Sequence, residues 1–202
     1  MRDQWSKASA ARDGQGASRL QVTDTELVRR IRAGDEAAFG ELVNRHADGL
    51  YRMAYSVMGS AADAEDILQE TLLGAFNRLS AFEGRSSVKT WLVRILLNHA
   101  SKLRRSRRVR KAESLPEQLG PASGDQKYAS ASPAAAVQSR VDVNEMLQSL
   151  SPEHREVIVL RELQQMSYDE IAEALRIPRG TVESRLHRAR QELKRRYEGY
   201  LT

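Results

Sequence analysis

Residues 167–196, SYDEIAEALRIPRGTVESRLHRARQELKRR, decide how this chain folds. Ser167 followed three positions later by Glu170 is a capping box, and Ile171, Ala172 and Leu175 continue from it at helical spacing. The turn Arg176-Ile177-Pro178 leads into a second helix, on which Val182, Leu186, Ala189 and Leu193 keep one apolar face. Two short helices joined by so tight a turn make a helix-turn-helix. The small Ala172 lets the pair cross closely, and Leu175, Ile177, Val182 and Leu186 lock it. Nearly everything between the apolar positions of the second helix is cationic. A helix buried on all sides has no use for that charge, so the opposite face meets either water or a polyanion.

With 182, 186, 189 and 193 inward, the outward set is Ser184, His187, Arg188 and Gln191, flanked by Glu183 and Arg185. These side chains can hydrogen-bond to base edges in a major groove, where a bidentate arginine on guanine contributes roughly 1–3 kcal/mol of discrimination. Glu183 can accept from a cytosine amino group. Arg185, Arg190, Lys194, Arg195 and Arg196 suit phosphates, with an affinity that falls as salt rises. Charge runs more often form a solvated face laced with Glu–Arg pairs. The helix-turn-helix in front favours DNA, because it puts the basic face on the element that fits the groove.

The composition agrees. The chain has 202 residues, 41% of them hydrophobic, 5% aromatic and 29% charged, which suits two small helical domains with Leu, Ile, Val and Ala cores and no substantial sheet. The net charge of +5 is concentrated in two places: Lys102, Arg104, Arg105, Arg107, Arg108, Arg110 and Lys111, and then the helix already described. Without cysteine there is no disulfide, thiolate metal site or thiol nucleophile. The opening residues lack the apolar stretch of a signal peptide, and no aliphatic run is long enough to span a bilayer, so the chain is expected to be cytoplasmic with no membrane insertion.

Residues 1–22 have the composition of a disordered tail. Thr23 to Glu26 opens a first helix that Gly34 stops, and Asp35 caps a second from about Glu36 to Met58, ended by Gly59-Ser60. A third runs from near Asp63 to Leu79, with Ala64, Ile67, Leu68, Leu72, Ala75, Phe76 and Leu79 assigned inward. A Gly/Ser loop then interrupts the period before Trp91, Leu92, Ile95 and Leu96 restart it. Trp91, beside Leu92 and Ile95, is read as core. Residues 112–140, rich in Pro, Gly, Ala and Ser, read as a flexible linker between domains at 23–111 and 141–202. In the second of these, Ser151-Pro152 launches another helix.

SLSPEHREVIVLRELQQMSYDEIAEALRIPRGTVESRLHRARQEL resembles region 4 of a bacterial RNA polymerase sigma factor of the extracytoplasmic-function class, in the sigma-70 family. DAEDILQETLLGAFNRLSAFEGRSSVKTWLVRILLNHA resembles region 2 of the same class. The resemblance implies an all-α, non-catalytic specificity subunit that needs no cofactor, binds core RNA polymerase and directs it to promoter DNA. Glu183, Ser184, Arg185, His187, Arg188 and Arg190 would read the minus 35 element. Phe82, Gly84, Arg85, Ser86 and Ser87 match the base-capture loop of the minus 10 element, joined by Asn98, Lys102, Arg104 and Arg105 on the helix that follows. Asp63, Glu65, Asp66, Gln69 and Glu70 match the part of region 2 that docks on the clamp helices of the largest polymerase subunit. The flap of the second subunit and, where one exists, an anti-sigma factor are further implied partners. Glu183 stands where the family often has a basic residue, and Arg176 where it often has glycine.

Some of these residues have plainer readings. Acidic residues at a helix start also suit its dipole, which accounts for Asp63 to Asp66 better than for Gln69 and Glu70. His46, His99, His154 and His187 have no metal-ligand spacing. A stand-alone helix-turn-helix regulator is the rival function, but it leaves the first domain unexplained.

Overall fold

The computed structural model describes residues 22–113 and 143–198. Every element among them is helical, and most begin at a side chain that accepts from an otherwise unpaired backbone N–H. Thr23 caps α1 (Asp24–Arg32) and Asp35 caps α2 (Glu36–Met58). Ser60 caps α3 (Ala61–Arg78), which therefore begins ahead of Asp63. A 3-10 turn, Leu79–Ala81, follows, and then α4 (Val88–Glu113), where the Ser87 hydroxyl accepts from Thr90 N at 3.0 Å. These four helices form domain 2. Leu27, Met53, Val57, Ala64, Leu96 and Ala100 lie fully or almost fully buried at its centre.

Ala112 and Glu113 continue α4; the rest of the segment assigned as linker, like residues 1–21, lies outside the described residues. Domain 4 comprises α5 (Val143–Gln148), α6 (Pro152–Ile158), α7 (Tyr168–Leu175) and α8 (Arg179–Tyr197). Ser151 caps α6 with proline in its first turn, and Ser167 and Glu170 form the complete reciprocal box on α7. α6 does not simply stop. Its last turn widens into a π-helix, Val159–Leu163, in which Gln164 N donates to Val159 O at 3.0 Å. That wide turn buries Val159 and Leu160 and leaves Leu163 48% exposed.

α7 ends on Arg176, whose φ of 54° is left-handed and has to be carried by a residue with a Cβ. Arg176→Gly is expected to stabilise domain 4 by about 1 kcal/mol. The check is a urea titration: the midpoint should rise at constant slope, and an unchanged or lower midpoint refutes the reading.

The two domains pack directly on each other, α5 and the π turn against α2, and α7 against α4. Arg155 organises much of the seam. Its guanidinium donates to Val57 O (2.8 Å) in domain 2 and to Leu147 O (2.8 Å), Gln148 O (2.9 Å) and Leu150 O (3.0 Å) in its own domain. Gln148 Nε2 donates to Ser56 O at 3.1 Å, Gln164 Nε2 to Gly49 O at 3.3 Å, and Lys89 Nζ to Gln164 O at 2.7 Å. Gly59, where φ is +76°, has no room for a side chain: an added Cβ would lie 2.6 Å from Gln148 Cδ.

Candidate nucleic-acid interface

α8 has the two faces its sequence demands. Val182, Leu186 and Ala189 are at most 1% exposed, held by α6 and α7. Glu183, Ser184, His187, Arg188 and Arg190 are exposed and Arg185 is half-buried. Local pairing sorts the cations. Arg179 pairs with Asp169 and Glu183, each at 3.0 Å, and Arg190 pairs with Glu162 at 2.7 Å, which raises the Arg190 pKa. Among the described residues Arg188, Lys194 and Arg195 carry no ion pair, so their charge is available to an external anion.

The loop before α4 is a shallow bowl. Phe82 is not part of its open surface: it is buried against Trp91, ring centroids 5.1 Å apart, and its carbonyl accepts from Arg32. Trp91 itself is 7% exposed, as a core residue would be. Glu83, Gly84 and Arg85 are exposed, Ser86 is half-buried, and Ser87 is committed to capping α4. Around them lies a hollow of about 400 Å³, within the range that holds small ligands, whose far wall is Arg94 together with Glu173 and Arg176 from domain 4.

Along α4, Asn98, Lys102 and Arg105 are all exposed and fall on one face by their spacing of four and three. Arg104 turns elsewhere. It forms an ion pair with Glu156 of domain 4, which is only 8% exposed, and burial pushes the Glu156 carboxyl above its ordinary 4.5 while the Arg104 charge opposes that rise.

On α3, Glu65, Asp66, Gln69 and Glu70 are exposed. Asp63 is not: it is 3% exposed and ion-paired with Arg107, whose pKa rises through that hydrogen bond. Phe76, assigned inward from periodicity, is 54% exposed with its ring edge against Phe39 at 5.0 Å, and Leu73 is 51% exposed. The stripe Asp66, Gln69, Leu73, Phe76 is thus acidic and amide at one end and apolar at the other.

The family description Sigma-70 region 2 matches residues 42–110, and Sigma-70, region 4 matches residues 140–193. The chain belongs to the sigma-70 family. Its class is extracytoplasmic-function: it is 38% identical over 170 residues to the ECF RNA polymerase sigma factor SigE of Mycolicibacterium smegmatis, covering 80% of this chain and 63% of that relative. It is 31% identical over 184 residues to the ECF sigma factor SigW of Bacillus subtilis, covering 87% of this chain and 97% of that relative. Among solved structures, CnrH in complex with the cytosolic domain of CnrY superposes with a TM-score of 0.63 at 28% identity, covering 86% of this chain and 96% of that one. The sigma factor RpoE in complex with the anti-sigma factor NepR from Bartonella quintana gives 0.60 at 28%, covering 78% and 94%. The region 2 match takes in most of α2, all of α3 and most of α4, with the loop between the last two, and leaves α1 outside. The region 4 match takes in α5, α6, α7 and most of α8.

Two features of this sigma-70 chain escaped the sequence reading. Leu73 and Phe76 are surface residues, although periodicity placed Phe76 with Leu72 on the core face. Glu156 and Arg155 form buried links, and nothing local in HREVIVL distinguishes them from surface charge. No described helix is long and apolar enough to cross a membrane, and no described group of three or more metal-ligand side chains converges.

Proposed function

We propose that this chain binds core RNA polymerase and sets promoter choice, domain 4 reading the minus 35 duplex and domain 2 opening the minus 10 element. The observation that carries the reading is α8: an exposed Ser184, His187 and Arg188 face, backed by a fully buried Val182, Leu186 and Ala189 face, on a helix-turn-helix. Glu183, Ser184, His187 and Arg188 contact base edges; Arg185 and Arg190 contact phosphates. Glu183 is held by Arg179 on one side and accepts from a cytosine amino group on the other.

In domain 2 the bowl of Gly84, Arg85 and Ser86 receives a flipped base, at an unstacking cost of a few kcal/mol that stacking and hydrogen bonds in the bowl recover. Phe82 supports the bowl from beneath and Ser87 fixes its exit into α4. Asn98, Lys102 and Arg105 line the approach, and Arg104 joins them once released from Glu156. Glu65, Asp66, Gln69 and Glu70, with Leu73 and Phe76, dock on the clamp helices of the largest polymerase subunit, and domain 4 on the flap of the second. Asp63 acts from inside, bracing α3 against α4 through Arg107. The CnrH and RpoE complexes support an anti-sigma partner for this chain as well. The chain works in the cytoplasm and catalyses nothing itself.

The test is run-off transcription with core polymerase over a randomised promoter library. Expected is enrichment of two spaced elements, with Arg188→Ala reducing output about 10- to 100-fold and relaxing a single upstream position. A library that returns no enriched element, or a chain that binds a duplex operator tightly without polymerase, overturns the assignment.

A further inference from the structure

Glu183 is the acidic member of the base-facing set on α8, and its carboxylate does not stand alone. Arg179, the first residue of α8, donates through Nε to Glu183 Oε1 at 3.0 Å, one helical turn away. Its Nη1 donates to both carboxylate oxygens of Asp169, at 3.1 and 3.0 Å. Asp169 is the second residue of α7, so the link crosses the turn of the helix-turn-helix. The Arg179 guanidinium also lies 5.9 Å from the centroid of the half-buried Tyr168 ring, within cation–π reach. The hydrogen bond to Glu183 and the charge of Asp169 raise the Arg179 pKa.

A guanidinium is planar and its donors point in fixed directions, so Asp169 sets the angle at which Nε meets Glu183. With Oε1 engaged, Glu183 Oε2, which makes no bond among the described residues, is the acceptor left for a base. Charge works in the same sense. A bare carboxylate brought against DNA meets a row of phosphates while losing its water, and a paired one meets them at lower cost. Asp169 also holds Arg179 back from the phosphates that an unpaired arginine at the start of a recognition helix would seek. All three side chains are exposed, and exposed ion pairs contribute little to stability. The network therefore has little to do for the fold, and gains its strength where DNA excludes the solvent around it.

We infer that Asp169 and Arg179 are positioning residues for promoter choice: without touching a base, they aim Glu183 Oε2 at a cytosine amino group and set the preference at one base pair of the minus 35 element. This rests on the sigma reading above. A basic side chain at position 183 would present donors and select guanine N7 and O6; the braced glutamate reverses that demand. Specificity is thereby shared between the two helices. A substitution in α7 changes what α8 selects.

The test is run-off transcription by holoenzyme reconstituted with the full chain. Four templates differ only at the upstream base pair whose preference Glu183→Ala removes. The readout is output on the cytosine template relative to the mean of the other three, expected to be about ten-fold for the parent. Asp169→Asn keeps the volume and removes the charge; Arg179→Lys keeps the charge and removes the fork. Each is expected to lower the ratio at least about three-fold while leaving the preference read by Arg188 as in the parent. Asp169→Asn added to Glu183→Ala should lower the ratio no further, because Asp169 acts through Glu183. Variants that keep the parent's ratio, or that lower output equally on all four templates, overturn the positioning role and leave the sigma reading standing. Glu183→Ala with every upstream preference intact overturns the Glu183 contact and the brace with it. A parent that gives no promoter-directed transcript overturns the sigma reading, and the brace falls too.

Discussion

Replacing Leu73 and Phe76 together by serine is expected to abolish assembly with core polymerase while leaving the fold intact. Both side chains are more than half exposed in the described structure, so their loss removes little buried area from domain 2. An adjacent pair of large apolar side chains on a surface otherwise rich in carboxylates and amides is the pattern of a binding anchor with a polar rim. Truncating such anchors costs about 2–4 kcal/mol each when they are central to an interface, so affinity should fall by 100-fold or more. A fluorescence titration of labelled chain with core polymerase measures it, and thermal melting of the free variant controls for folding. Unchanged affinity would show that the polymerase meets another face of α3. The acidic residues beside the pair are expected to act chiefly on association rate and salt dependence, as rim charges do.

The second large effect is on stability. Arg155→Met keeps the length and apolar stem of the side chain but removes the guanidinium donors that meet Leu147 O, Gln148 O, Leu150 O and Val57 O. Those carbonyls sit where the chain enters α6 and where α2 ends, and Leu147 O also accepts from Leu150 N at 3.1 Å. Burial, with the neighbouring Arg104 charge, lowers the Arg155 pKa, while Glu156 opposes that shift. The expected loss is about 3–5 kcal/mol, read as a shift of the urea midpoint. Arg155→Lys should recover only part of it, because a point-charge ammonium cannot address four carbonyls spread over two domains. A loss below about 1 kcal/mol would mean that these bonds are replaced by water without cost.

What the sequence disclosed and what it hid divide by range. Helix starts at Asp24, Glu36, Pro152 and Tyr168 were legible because each cap is chemistry between residues three apart, and the structure reproduces each one. The two faces of α8 were legible because Val182, Leu186 and Ala189 recur at period 3.6 and are buried, while Leu193, assigned to the same face, is half-buried. α3 was harder. Its apolar residues cover more than one face, and periodicity alone assigned Phe76 to a core that is already closed by Ile67, Thr71 and Ala75. The π turn could not be read from VLREL, since a helix widens there to satisfy packing that lies elsewhere in the fold. Arg104 and Glu156 are 52 positions apart, and no local pattern links a basic block that reads as a phosphate site to a glutamate in another domain. The basic block was visible in composition, and the Arg104–Glu156 pair only in the tertiary structure.

Because Arg155, Gln148, Gln164 and Lys89 bridge the two halves by side-chain hydrogen bonds, substitutions at the seam are expected to change the fraction of molecules in which the halves stand apart without altering the core of either. Apparent affinity for any partner that requires the open form scales directly with that fraction. At Gly59, where an added Cβ would lie 2.6 Å from Gln148 Cδ, a lone methyl group is expected to act as a wedge between the halves.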